Sequence, residues 1–248
     1  MKDYKFFILK GLNYNKQILH GQLFMDMLAL RISGYLPYYG NKLMPIDLYD
    51  HFSDHLVLCK DVNNEYIPVS CLRTIPYSMC TKNGVEFLPI TRVASSNPKI
   101  KLTIKELLLR TKSNLNYDSG LTISPKITSK MENYSILKYM IGLCLIYHRV
   151  NKNMPFIISS IRKTRTDKLF QKVGFIPLCD NSDYSLRGLE TEGFSMLRYD
   201  YEKTKYDKWT KDSFFLWENK TVIGVVSNKK SDVVISNFPT DTRDVKLV

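Results

Sequence analysis

The sequence predicts a mixed α/β (α+β) fold built on a central, largely antiparallel sheet, and three observations lead there. Three strand-like runs follow one another between residues 55 and 95. A helical pattern precedes them near residues 16–34, and a second, stronger one follows at 132–150. A buried apolar run, PFIISSI at 155–161, then leads into a short helix closed by Gly174. Helical and strand periods arranged in this way describe a sheet with helices laid against it.

Taken in order, KFFILKGL (5–12) reads as a first short strand. Asn13 or Asn15 can cap a helix from about Lys16 to Gly34, with Ile18, Leu23, Met27, Leu30 and Ile32 on most of one apolar face. Gly34 and Pro37 are expected to stop it, and residues 35–54, rich in Tyr, Pro and Asp, read as a loop of the kind that lies over a site. HLVLCKD (55–61), YIPVSCLRTIP (66–76) and VEFLPITRVAS (85–95) form a meander. Turn residues Asp61-Val62-Asn63-Asn64 and Thr81-Lys82-Asn83-Gly84 join them, and Pro68 and Pro89 mark bulges, edges or splayed pairing. A helix is expected from Thr103, followed by a polar loop through LNYDSGLTISPKITSK. The helix from Glu132 to Val150 is apolar at Ile136, Tyr139, Met140, Leu143, Cys144 and Tyr147, and Leu169, Phe170 and Phe175 anchor the short one at 164–175. The rest, including SFFLWENKTVIGVVSNKK, reads as further strands. The expectation is one domain over residues 1–248, with a core at about 5–200 and a β-rich C-terminal extension over 201–248.

Composition narrows the function classes. With 44% hydrophobic residues among 248, wholesale disorder is excluded. Thirty-six basic against 24 acidic residues give a formal charge of +12, which favours an acidic partner: nucleic acid, an anionic membrane surface, an acidic carrier protein or a phosphorylated cofactor. Five scattered cysteines without a C-x-x-C pair point to a reducing compartment and no structural zinc. No signal-peptide pattern opens the chain, and the longest apolar run, 136–148, is too short for a transmembrane segment, so a cytoplasmic protein is expected. His51 and His55 lie four apart near Asp47 and Asp54. A strand beginning at His55 would break helical i,i+4 geometry, and no metal is expected. Ser159 and Ser160 lack the Gly-flanked elbow of a serine hydrolase.

The chemistry-bearing stretch is IPVSCLRTIPY (67–77) with its neighbour FLPITRVASS (87–96), each an apolar strand pattern holding one arginine, Arg73 and Arg92. A guanidinium keeps its proton, so a strand that turns one inward must offer it an anion, and Asp47, Asp50 and Asp54 lie just upstream. The other reading places both arginines at strand ends, reaching for water.

The order of elements, with FIISSIRKTRTDKLFQKVGFIPL at 156–178, resembles the GNAT acyltransferases, and implies a three-layer α/β/α arrangement. LALRISGYL, DLYDHFSDHLVLCKD, SCLRTIP and ITRVASS resemble, more narrowly, the acyl-homoserine-lactone autoinducer synthases and the long-chain N-acyl amino acid synthases. That resemblance implies an N-acyltransferase moving an acyl group from an acyl-carrier-protein or acyl-CoA thioester to the amine of an amino acid or amino-acid-like acceptor. Substrate binding then falls to Arg31, Tyr35, Asp47, Asp50 and Arg73 and catalysis to Arg92, with Glu86, an Asp of the loop or an ordered water as the base. Pro89 stands where those synthases carry a glutamate three residues before the arginine, and Glu86 is the nearest carboxylate. No cofactor is implied as permanently bound. The glycine-rich pyrophosphate loop of CoA-dependent GNAT enzymes is missing from KITSKMENYS (126–135), which favours a donor on an acidic carrier docked by Arg149, Lys152, Arg162, Lys163, Arg165 and Lys168. Two other classes keep the basic charge: a nucleic-acid-binding protein without the reaction, and an acetyltransferase acting on aminoacyl-tRNA.

Overall fold

The computed structural model describes residues 3–11, 18–40, 46–63, 65–93, 96–151, 155–162, 165–186, 189, 193–199 and 208–224. The expected caps Asn13 and Asn15, Lys152 and Lys163, and the strands expected beyond residue 224 lie outside them.

β1 (Tyr4–Leu9) pairs antiparallel with β2 (Asp54–Val62), β2 with β3 (Glu65–Pro76) and β3 with β4 (Asn116–Ile123). β4 runs parallel to β5 (Phe156–Ile161), and two short strands, β6 (Phe175–Pro177) and β7 (Asp183–Tyr184), join the sheet through β8 (Phe194–Tyr199), which is antiparallel to β5. β9 (Thr221–Ile223) lies parallel on the outer side of β1. The order across the sheet is β6-β8-β5-β4-β3-β2-β1-β9, and the register shifts opposite Pro68, where a bulge was expected.

Helices cover both faces. α1 (Ile18–Tyr39), α2 (Tyr77–Lys82), α3 (Leu88–Val93) and α4 (Pro98–Arg110) enclose the cores on one face. α5 (Lys130–Val150), α6 (Thr166–Lys172) and α7 (Lys208–Glu218) enclose the core on the other. Central strands are therefore buried on both sides: in β2, Leu56 and Leu58 face α5 while Val57 and Cys59 face α1, all four at 0% exposure. This double burial explains their continuous apolar runs. α4 starts at Pro98, not at Thr103 as expected, because Asn97 caps it, accepting from Lys99 N and Ile100 N, with Pro98 in the first turn.

Five expectations are corrected. Residues 85–95 do not form the third strand of the meander: Leu88–Val93 is α3, with Pro89 in its first turn, where a missing N–H costs little. The third strand is β4, inside the stretch expected to be a polar loop; its Asn116, Asp118 and Ser119 are buried. Thr81 and Lys82 close α2 rather than forming a hairpin turn. Within the expected β-rich extension, residues 208–218 are α7, which buries Trp209, Ser213, Leu216 and Trp217 at helical spacing, and only β9 is strand among the described residues. α1 also runs past Gly34 to Tyr39, with Pro37 in its last turn, which brings Tyr35 into the helix.

α7 sits close against α5 at Gly142, where a Cβ would fall 2.2 Å from the Trp209 carbonyl oxygen. No described helix is long and apolar enough to cross a membrane.

Candidate active site

The parallel pairing of β4 with β5 ends at Asp118 and Ile158, while both strands continue, β4 to Ile123 and β5 to Ile161. From Ser119 and Ser159 onward the strands part, and a cleft of 660 Å³ passes between them. Arg31, Tyr35, Arg73 and Arg92 line it on the α1–α3 side, and Leu137, Leu169 and Phe170 on the α5–α6 side. The backbone is irregular at this point. The β3–β4 register shifts between Cys71 and Arg73, and Gly120 takes φ +72, a conformation open to glycine. A Cβ there would also lie 3.3 Å from Arg31 Nε.

Two arginines and two aspartates form the first cluster. Asp47 caps the short 3₁₀ turn Leu48–His51 and receives Arg73 in a two-pronged contact, Nη1–Oδ1 2.6 Å and Nη2–Oδ2 3.1 Å. Asp50, on the same turn, accepts from Arg31 Nη1 at 2.5 Å, with Arg73 Nη1 3.0 Å away, and its other oxygen accepts from Asp47 N at 2.9 Å. Arg31, Asp50 and Arg73 are 1–2% exposed, so the pairs are buried charges that hold one another. Burial alone would raise the Asp50 carboxyl, but Arg31 and Arg73 outweigh it and keep the group below its ordinary range. Arg31 Nη2 also meets His55 Nδ1 at 3.2 Å, and His55 Nε2 donates to the Asp50 carbonyl at 2.9 Å. Burial and Arg31 push the imidazole down to about 3, so His55 is neutral and engaged as a hydrogen-bonding spacer. Burial raises the Tyr35 phenol against the pull of all three arginines, so it stays a neutral hydroxyl.

The second cluster is built on hydroxyls. Arg92 Nη1 donates to Tyr117 Oη at 3.1 Å, Tyr117 Oη lies 2.5 Å from Ser159 Oγ, and Ser159 Oγ lies 2.5 Å from Tyr184 Oη. Arg92 is half-buried, and no described carboxylate forms an ion pair with it. Asp47 and Asp50 are matched to Arg31 and Arg73, and neither forms an ion pair with Arg92.

The structure thus brings Arg31, Tyr35, Arg73 and Arg92 to one cleft, with Asp47 and Asp50 holding two of the arginines from behind. Glu86 is not brought there: its side chain is exposed, it does not line the cleft, and its backbone carbonyl accepts from Tyr49 Oη at 2.7 Å. Arg92 reaches the cleft from α3 and not from a strand end. Tyr117 and Tyr184 were missed by sequence reasoning. Tyr117 lay in the segment taken for a loop, and Tyr184 in a two-residue strand with no periodic signal. Among the described residues His55 belongs to no group of three metal-ligating side chains. Among the described residues the nearest approach to a ligand set is Asp118, Cys144 and His148 on the α5 side of the sheet. There Asp118 Oδ2 accepts from His148 Nε2 at 2.8 Å and Cys144 Sγ at 3.0 Å.

No protein-family model matches the sequence, and no curated protein matches it. Solved structures do. FeeM, an N-acyl amino acid synthase from uncultured soil microbes, aligns with a TM-score of 0.52 at 12% identity, over 86% of this chain and 97% of that one. The CoA-dependent acyl-homoserine lactone synthase BjaI aligns at 0.53 with 9% identity, over 90% and 95%. The AHL synthase LasI aligns at 0.50 with 13% identity, over 79% and 88%. At such identities the likeness is one of fold, and the mixed sheet, its helical layers and the parting of β4 from β5 make that fold the GNAT acyltransferase fold.

Proposed function

We propose that this protein is an N-acyltransferase that moves an acyl group from a thioester to the amine of an amino acid or similar carboxylate-bearing acceptor. The observation that carries this reading is the cleft between β4 and β5, with Arg92 in its wall and no ion-pair partner for it among the described carboxylates. A parted strand pair exposes backbone N–H groups that can bind a thioester carbonyl and the oxyanion formed from it. An unneutralised guanidinium beside that point suits the acceptor's carboxylate. The fold shared with FeeM and BjaI, described as synthases of N-acyl amino acids and acyl-homoserine lactones, supports the same reading.

The donor is a thioester carried by an acidic carrier protein or by coenzyme A. Ser124 to Asn133 contain no glycine with which to wrap a pyrophosphate, which supports the carrier, as do the exposed Arg162, Arg165 and Lys168 beside the cleft mouth. BjaI, by contrast, is described as CoA-dependent.

The test is direct. Purified protein is supplied with octanoyl-coenzyme A or octanoyl-carrier protein and an equimolar mixture of amino acids, and mass spectrometry looks for N-octanoyl products. Arg92→Ala should then raise the acceptor KM roughly 30-fold, the equivalent of about 2 kcal/mol for a charged hydrogen-bond pair. Absence of an acyl-amine from either donor would sink the reading.

A further inference from the structure

The buried face of α5 carries a side-chain group that acyl transfer does not use. Cys144 and His148 are four residues apart on α5, so both project from one side of the helix. They meet Asp118 of β4 there, whose Oδ2 accepts from His148 Nε2 at 2.8 Å and from Cys144 Sγ at 3.0 Å. Asp118 and His148 are 0% exposed and Cys144 3%. One ligand atom from each lies within 4.8 Å of the other two. Both contacts load the same carboxylate oxygen. Asp118 Oδ1, equally buried, finds no hydrogen-bond partner among the described residues. A carboxylate with an idle oxygen deep in a core costs stability, which a bound cation would offset.

We propose that Asp118, Cys144 and His148 bind a zinc ion. Carboxylate, thiolate and imidazole are zinc donors, and two ligands at i,i+4 on one helix face reach a single ion. Sulfur with nitrogen argues against magnesium and calcium, which take oxygen ligands. The carboxylate and the thiolate balance the doubly charged ion, so no net charge is buried. Zinc bonds of about 2.0–2.3 Å put neighbouring ligand atoms about 3.3–3.5 Å apart in a tetrahedron. The present contacts need to open by about 0.5 Å to admit the ion, and Oδ1 can fill the fourth position. On binding, Cys144 Sγ gives its proton to solvent, and the imidazole binds through Nε2 with its hydrogen on Nδ1. The Asn116 amide, 3.5 Å from Nδ1, accepts that hydrogen once its oxygen is turned toward the ring. Phe156, stacked on the imidazole with centroids 3.8 Å apart, fixes the plane of the ring. The sequence pointed away from structural zinc because it holds no C-x-x-C pair; here the ligands come from a helix and a strand instead. Asp118 is also the last β4 residue paired with β5, so the ion would tie α5 to the sheet where the two strands part. That structural role is independent of the substrate the cleft takes.

The experiment is metal analysis of the intact, untagged protein. It is produced in medium supplemented with zinc, or with cobalt in its place, and purified without chelator. Elemental analysis should find about one ion per folded chain. The cobalt form should show a thiolate-to-cobalt charge-transfer band in the near ultraviolet and the visible bands of a tetrahedral site. Cys144→Ser should lose the charge-transfer band, and His148→Gln should lower the metal content by about tenfold or more. Wild type that is folded by circular dichroism and holds less than about one-tenth of an ion per chain overturns the proposal. Bound cobalt without the thiolate band, or a metal content and spectrum unchanged in both variants, places the ion elsewhere and overturns it too. Where a variant does not fold, the wild-type stoichiometry and cobalt spectrum decide.

Discussion

His55 makes the stability of this protein depend on pH between neutrality and pH 5, with a sign and size that follow from its surroundings. Its ring is 1% exposed, meets Arg31 Nη2 at 3.2 Å, donates to the Asp50 carbonyl, and packs edge-on against Phe24 with centroids 5.3 Å apart. Burial, then Arg31 and more weakly Arg73, lower its value from 6.5 to about 3, and Asp50 only partly opposes them. The unfolded chain therefore binds a proton below pH 6.5 that the folded one refuses. The stabilising contribution is whole above 6.5 and is lost as pH falls toward 3. Each pH unit below 6.5 costs about 1.4 kcal/mol, so pH 5 should cost roughly 2 kcal/mol relative to pH 7. Asp50 does not confuse the window, since a carboxyl held below its ordinary 3.8 changes its contribution only in more acid solution. Urea unfolding at pH 7, 6 and 5 measures the effect, with His55→Asn as the reference: it keeps an acceptor for Arg31 but does not titrate. Wild type should lose roughly 2 kcal/mol more than the variant between pH 7 and 5. Parallel pH profiles would refute the reasoning.

Two further substitutions probe the scaffold. Asp50→Asn removes the carboxylate charge that Arg31 and Arg73, both buried, share. It should destabilise by about 3–5 kcal/mol in urea melts, far more than a surface pair would. Gly142→Ala drives a methyl group into the Trp209 backbone, 2.2 Å from its oxygen and 2.8 Å from its carbonyl carbon. It should lower stability by about 1–3 kcal/mol and show as increased tryptophan exposure, because α7 must move off α5.

Much of the scaffold was readable because its elements obey one period each. The β2–β3 hairpin, α5 and the run from β5 through α6 to β6 fall within a few residues of expectation. The errors share a cause. β4 carries Asn116, Asp118, Ser119 and Gly120 in the middle of a buried sheet, so its polarity imitates a loop, and those polar positions are the ones that shape the cleft and brace α5. FLPITRV is rich in strand-forming residues, yet Pro89 lacks the N–H a central strand would use and suits a helix's first turn. In α7 the aromatic content of SFFLW suggested a strand, while the burial of Trp209, Ser213, Leu216 and Trp217 follows the helical repeat. Arg73, Asp47 and Asp50 were legible because buried charge must be answered by charge, whereas Arg31 came from the family resemblance and Arg92, expected on a strand, sits on α3 beside the Tyr117 hydroxyl. The hydroxyl trio was not legible, since Ser and Tyr carry no such obligation and the three come from separate strands.

The pairing of β9 with β1 bears on how the protein is assembled. Phe7 lies beside Thr221, and the Lys10 backbone N–H donates to Ile223 O at 2.8 Å, so β1 waits for a strand synthesised much later than itself. Until β9 arrives, β1 has β2 on one side and an open row of backbone groups on the other, the kind of edge that recruits foreign strands. A nascent chain halted between β8 and β9 would present that edge, with Phe6 and Ile8 also missing the cover that Trp217 and Val222 bring to their cluster. Such long-range closure is slow. The interval before it is when aggregation, or protection by a chaperone, would be decided.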